Sequence, residues 1–115
     1  MRTFDSGATR NDDQDKLDYE GFLSPLVLQR YAQYLHRHRL QADGKLRDSD
    51  NWQRGIPLST YMKSMWRHFV DVWLHHRGYR CDADREEALM ALLFNVSGYA
   101  HELLKNRLAP EVLND

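Results

Sequence analysis

Pro57-Leu58-Ser59-Thr60-Tyr61-Met62-Lys63-Ser64-Met65-Trp66-Arg67-His68-Phe69-Val70-Asp71-Val72-Trp73-Leu74-His75-His76-Arg77-Gly78 is the stretch that sets the fold class. Proline suits the first turn of a helix and glycine the residue just past its end, so the two bracket one helix. Within it Leu58, Met62, Met65, Phe69 and Trp73 recur at spacings of three and four, widened by Trp66, as an apolar stripe expected to face the core. On the opposite side Ser64, His68, Asp71 and His75 recur at intervals of four, three and four as a polar stripe.

Downstream, Asp84-Arg85-Glu86-Glu87 has the form of a capping box that opens another helix, with Leu89, Leu92, Val96, Ala100 and Leu103 as its expected core stripe. Asn106 and Pro110 are its expected stop. Its other side stacks Glu87, Ala91, Asn95, Gly98 and Glu102, with Met90 and Phe94 beside them. Glycine inside a helix is disfavoured by roughly 0.5 to 1 kcal/mol relative to alanine, so something is expected to approach the backbone at Gly98. A helix of this composition should be covered on two sides, by a second subunit or by a ligand. Upstream, Ser24-Pro25 supplies a capping hydroxyl and a first-turn proline for a helix from about 25 to 40, with Leu28, Tyr31, Leu35 and Arg39 on one face. Between these two upstream helices lies a long polar loop from Gln41 to Gly55, with Asp43-Gly44 and Asp48-Ser49-Asp50-Asn51 as turn formers.

No run shows strand alternation, and residues 1 to about 22 have no sustained periodicity. The expected fold is all-α: three main helices plus an extended N-terminal arm, in one domain spanning residues 1–115. The arm covers 1–23, the helical core 24–107 and a tail 108–115.

With 115 residues, 42% of them hydrophobic, the chain has a modest core, so self-association is expected to help stabilise it. A single thiol, Cys81, excludes a disulfide framework and a thiolate zinc site. No apolar run approaches the ~20 residues of a membrane span, and the N-terminus lacks a signal-peptide core, which together imply a cytoplasmic protein. The net charge of −1 argues against dedicated DNA or membrane binding. That balance conceals an acidic segment at 11–20 and a basic one at 30–47 containing Arg30, Arg37, Arg39, Lys45, Arg47, His36 and His38. The two read either as solvated faces that steer subunits together or, for the basic one, as part of an anion site.

Two groups carry candidate chemistry. The polar stripe reads as an ordinary solvated face, or as a site in which His68 and Asp71 share a metal or a proton, joined by Glu86 or Glu87 if the polar faces converge. The segment Arg47 to Gly55 reads as a loop held by Trp52 in the core, or as a nucleotide site. In that second reading Arg54 meets phosphate, Asn51 pairs with a base edge and Trp52 stacks on it.

The arm Phe4-Asp5-Ser6-Gly7-Ala8-Thr9-Arg10, then Lys16 through Pro25, Asn51-Trp52-Gln53-Arg54-Gly55-Ile56-Pro57, Ser64, Arg67-His68 and Phe94-Asn95 together resemble the phage dATP/dGTP diphosphohydrolase N-terminal domain family. The likeness runs from about residue 4 to 103. It implies an all-α relative of the MazG-like nucleotide pyrophosphohydrolases, which are helical homo-oligomers that split a nucleoside triphosphate into monophosphate and pyrophosphate with carboxylate-bound Mg²⁺ or Mn²⁺. Such metal neutralises phosphate charge and activates water. The pattern required there is Glu-x-x-Glu plus Glu-x-x-Asp. Here Gln33, His36 and His38 stand on the first helix where paired glutamates are wanted, and Ala88 stands where the family often has histidine.

Three functions follow. In a purine nucleotide pyrophosphohydrolase, Asp71, Glu86 and Glu87 hold metal and His68 orients water or phosphate. Arg10, Lys16, Arg54 and Arg67 then meet phosphates, while Asn51, Trp52 and Asn95 serve the nucleotide. The second is a metal-free binder that sequesters a nucleotide, for instance a signalling nucleotide in phage counter-defence, in the bacterial cytosol. The third is a phage structural or regulatory oligomer.

Overall fold

A computed structural model describes residues 1–12 and 14–107. The chain is mostly helical. Four α-helices, α1 (Tyr19–Phe22), α2 (Pro25–Arg37), α3 (Leu58–His76) and α4 (Arg85–Arg107), are joined by a 3₁₀ turn at Asn51–Arg54 and a two-stranded antiparallel sheet, β1 (Arg2–Thr3) with β2 (Thr9–Arg10). Two corrections to the all-α expectation lie in the arm. Residues 1–10 form a hairpin closed by the Phe4 amide donating to Ala8 carbonyl and by Gly7 at φ 91°, and Asp18 caps the short α1 through the Gly21 amide. Strands of two residues are too short to show alternation. The tail 108–115, including the expected stop at Pro110, lies outside the described residues.

The helix ends follow the local chemistry. Ser24 Oγ accepts from the Val27 amide at 3.2 Å, with Pro25 opening α2. At the C-terminus of α3 the Gly78 amide reaches the His75 carbonyl and the Tyr79 amide the Leu74 carbonyl, a Schellman closure with Gly78 at φ 76°. Asp84 Oδ2 accepts from the Glu87 amide at 3.0 Å, the first half of a capping box. The other half is not made, because the Glu87 carboxylate turns to Arg30 and Arg37 of α2.

Helices α3 and α4 form an antiparallel hairpin, with Tyr61 packed on Gly98 and Phe94 at one end and His75 Nε2 donating to the Ala83 carbonyl at 2.6 Å at the other. Tyr61 is 1% exposed, and the other buried ones among the described residues are Ala88, Met90, Ala91, Asn95 and Gly98. Both core stripes expected from the sequence are therefore largely reversed, with Leu58, Met65 and Leu92 alone among them half-buried. The face of α3 turned to α4 carries Tyr61 and half-buried Ser64, Met65, His68, Val72 and His75, while Met62, Trp66, Phe69 and Trp73 point outward. On α4 the small-residue side is inside and Leu89, Val96, Ala100 and Leu103 are outside. Steric fit explains the choice. A Cβ on residue 98 would lie 2.3 Å from the Tyr61 ring, so only glycine lets that ring reach the α4 backbone.

Helix α2 lies more loosely on α4. Tyr31 hydrogen-bonds Ser97, Arg30 pairs with both Glu86 and Glu87, and Arg37 pairs with Glu87. Beyond α2 the chain folds back at Asp43-Gly44, where Gly44 adopts φ 83°, and the Arg47 amide donates to the Arg39 carbonyl at 2.7 Å. This turn brings Arg39 and Arg47 side by side. Among the described residues no helix is long and apolar enough to cross a membrane.

Candidate functional site

The turn at 39–47, the 3₁₀ turn, the end of α2 and the middle of α4 enclose a pocket of about 250 Å³. Tyr34, Leu35, His38, Arg39, Arg47, Asp48, Ser49, Asn51, Trp52, Ile56 and Phe94 line it. Drug-sized ligands occupy roughly 300–1,000 Å³, so this volume suits a nucleobase or nucleoside with its phosphates outside. Trp52 is half-buried, with its indole edge-on to the His101 ring at 4.6 Å between centroids. Tyr34 and His38 rings lie 4.0 Å apart, and His38 Nδ1 is 2.9 Å from the Tyr34 carbonyl. Arg39 Nε donates to the Arg47 carbonyl at 2.8 Å, and an Arg47 terminal nitrogen donates to the His38 carbonyl at 3.4 Å. A guanidinium offers five N–H donors in a fork, so each arginine held by one contact keeps donors for phosphate.

Burial pushes the Tyr34 hydroxyl above its usual range, reinforced by Tyr31 and opposed by Arg37, so this wall of the pocket stays a neutral phenol. Burial also raises Tyr31, against the hydrogen bond to Ser97. Behind the 3₁₀ turn, Glu102 is held below the usual carboxylate range chiefly by its hydrogen bond to Lys105 and also by the Ile56 amide.

Of the residues expected from the sequence, Asn51 and Trp52 line this pocket. The others do not. Arg10 sits exposed in β2 and Lys16 exposed in the arm. Arg54 pairs with Asp48 at 3.2 Å, and Arg67 donates to Ser64 Oγ at 3.0 Å on α3. Asn95 is buried in the α3/α4 seam, where its amide donates to the Ala91 carbonyl at 2.8 Å. His68 is half-buried in the same seam, its pKa lowered by burial, raised by Asp71 and lowered again by Arg67 and His38.

The metal set Asp71, Glu86 and Glu87 is not assembled. Asp71 accepts from the Cys81 thiol at 3.7 Å, while Glu86 and Glu87 are ion-paired to α2. Among the described residues no three His, Cys, Asp or Glu side chains are grouped to hold a metal ion, so this donor arrangement does not fit Mg²⁺ or Mn²⁺ within one chain.

Of the other pocket residues, Leu35 reads in the sequence as part of a helix face, and no sequence motif marks Tyr34 as a ligand. Arg39 and Arg47 belong to the basic segment, and the Asp43-Gly44 hairpin signal between them is what could have paired them. Compared with known proteins, the chain matches no protein-family model, no curated protein and no solved structure.

Proposed function

We propose that the protein is a nucleotide-binding protein that holds the base of a purine nucleotide in the pocket between α2, the 39–47 turn and α4, without metal-assisted hydrolysis. The observation that carries this reading is the lining itself: Trp52, Tyr34 and Phe94 offer aromatic surface, Asn51 an amide, and Arg39 and Arg47 a guanidinium each. Base-on-aromatic stacking contributes about 1–3 kcal/mol, and a charged hydrogen bond to phosphate about 1.5–3 kcal/mol. The choice of a purine, and of a phage protein acting in the host cytosol to sequester a nucleotide, follows the resemblance to dATP/dGTP diphosphohydrolase domains. The engagement of Glu86 and Glu87 by Arg30 and Arg37 favours binding over hydrolysis.

Calorimetric titration with dATP and dGTP, in EDTA and again in Mn²⁺ with pyrophosphate followed, tests this. Saturable binding in EDTA with no pyrophosphate release is expected. Arg47→Ala should weaken it roughly tenfold or more, the equivalent of a lost charged contact. Arg67→Ala should leave affinity unchanged, since Arg67 does not line the pocket and its guanidinium is engaged by Ser64. Pyrophosphate release would restore the hydrolase reading, and absence of any saturable heat would leave a structural or regulatory role.

A further inference from the structure

Behind the nucleotide pocket lies a second cavity of about 250 Å³, bounded by Tyr31, Leu35, Trp52, Phe94, Ser97 and Gly98. Leu35, Trp52 and Phe94 line both cavities, so these three side chains form the partition between them. The two differ in chemistry. Arg39, Arg47 and His38 belong to the outer one alone, whereas the inner one is almost wholly apolar, with the hydrogen-bonded hydroxyls of Tyr31 and Ser97 as its polar groups. Against Gly98, the buried Tyr61 hydroxyl has no hydrogen-bond partner among the described residues.

We propose that the ligand is a dinucleotide, with one base in the outer pocket, the other in the inner cavity, and Trp52 and Phe94 between them. This rests on the nucleotide reading above and names the class of nucleotide. Volume is the first argument. Ligand sites commonly enclose roughly 300–1,000 Å³, and either cavity alone falls short, whereas the two together offer about 500 Å³. Spacing is the second. Phe94 and Gly98 are four residues apart on α4, about 6 Å along its axis. Two bases that hold one aromatic ring between them are roughly 7 Å apart, twice the stacking step of a nucleic-acid strand. An aromatic ring has two faces and stacks on any base, so one partition serves both. The hydroxyls of Tyr31 and Ser97 can each donate and accept, which suits the polar edge of a base inside an otherwise apolar cavity. A mononucleotide held in the outer pocket leaves that cavity empty. Arg39 and Arg47 line only the outer pocket, so they serve the phosphate of the outer nucleotide.

Calorimetric titration of the full chain compares the linear dinucleotide pApA and cyclic diadenylate with ADP, which has two phosphate groups but one base. At least one dinucleotide should bind about tenfold or more tightly than ADP, the equivalent of one added base on an aromatic wall. Success of the linear form alone points to a nucleic-acid fragment as the source, and success of the cyclic form alone to a signalling nucleotide. Ser97→Leu narrows the inner cavity at a residue that does not line the outer pocket. It should erase the dinucleotide's advantage and leave ADP affinity unchanged, which also shows that the variant is folded. A second measurement needs no substitution. In amide NMR spectra of the wild type, the dinucleotide should shift Ser97 and Gly98 beyond the shifts that ADP produces. Equal affinity for ADP and both dinucleotides overturns this inference and leaves the nucleotide reading intact. So does a dinucleotide preference that neither Ser97→Leu nor the Gly98 amide reports, because the second base then lies elsewhere. Absence of binding by all three ligands overturns both readings.

Discussion

Gly98 and Tyr61 compete for one space, and the outcome can be measured. A methyl group at position 98 would sit 2.3 to 2.6 Å from the Tyr61 ring and hydroxyl. Overpacking of this kind costs about 1–3 kcal/mol, which outweighs the gain of about 1 kcal/mol in helix propensity. Gly98→Ala should therefore lower stability in denaturant titration, and Tyr61→Leu should make the second substitution less damaging than it is alone. The Tyr61 hydroxyl is buried without a hydrogen-bond partner among the described residues. Tyr61→Phe keeps the ring and removes that unpaired group, so it should hold or raise stability. His68 supplies a pH signature. Its pKa in the folded chain lies below the ordinary 6.5, chiefly through burial. Above 6.5 both states are neutral there and no slope arises. As pH falls below 6.5 the unfolded chain takes up the proton first, so stability declines until the folded pKa is passed and then levels. His68→Gln should flatten the stability profile just below pH 6.5, above the range where Glu102 protonates. An unchanged slope in that variant would remove His68 as its source.

At the scale of elements, α2 is held on α4 by charge as well as by half-buried Tyr31 and Leu35 beside Phe94 and Gly98. Arg30 and Glu87 are half-buried, and no α2 residue is fully buried. Arg30→Ala removes hydrogen bonds to two carboxylates, the part-buried one to Glu87 worth about 1.5–3 kcal/mol and the exposed one to Glu86 about 0–1 kcal/mol. Faster amide exchange confined to α2, with α3 and α4 still protected, is the expected result. Uniform exchange across all three helices would mean that α2 is part of one cooperative unit instead. The three long helices were legible in the sequence because their signals are local: Ser24, Gly78 and Asp84 act on amides and carbonyls within a few residues. Which face of α3 and α4 turns inward was not legible. Periodicity shows that two faces differ, but the inward one was chosen by a long-range fit, the Tyr61 ring on the Gly98 backbone. The candidate site was half legible for the same reason. Asn51 and Trp52 stand in one short motif, whereas Tyr34, Arg39, Arg47 and Phe94 come together only once the turn at Gly44 closes and α2 meets α4.

At the scale of the whole molecule, the radius of gyration is 19.6 Å, against about 13 Å for a compact domain of this length. Few residues are fully buried, and the largest apolar stripes face outward. Conformational entropy opposes folding by about 1–2 kcal/mol per residue, a load that so small a core offsets poorly in a lone chain. The self-association expected from the sequence would relieve that load, and a chain that folds only as a dimer would melt in one transition to two unfolded chains. A hundredfold dilution then removes about 2.7 kcal/mol per dimer from the folded state. With an unfolding entropy of roughly 2.1 cal/mol/K per residue over two chains, this corresponds to a Tm lower by about 5–6 °C. Scanning calorimetry or circular dichroism melts across that dilution should show the shift. Trp66→Glu with Phe69→Glu should abolish the concentration dependence together with most of the stability. A wild-type Tm that is independent of concentration would mean that the α3/α4 hairpin is stable with its apolar stripes in water.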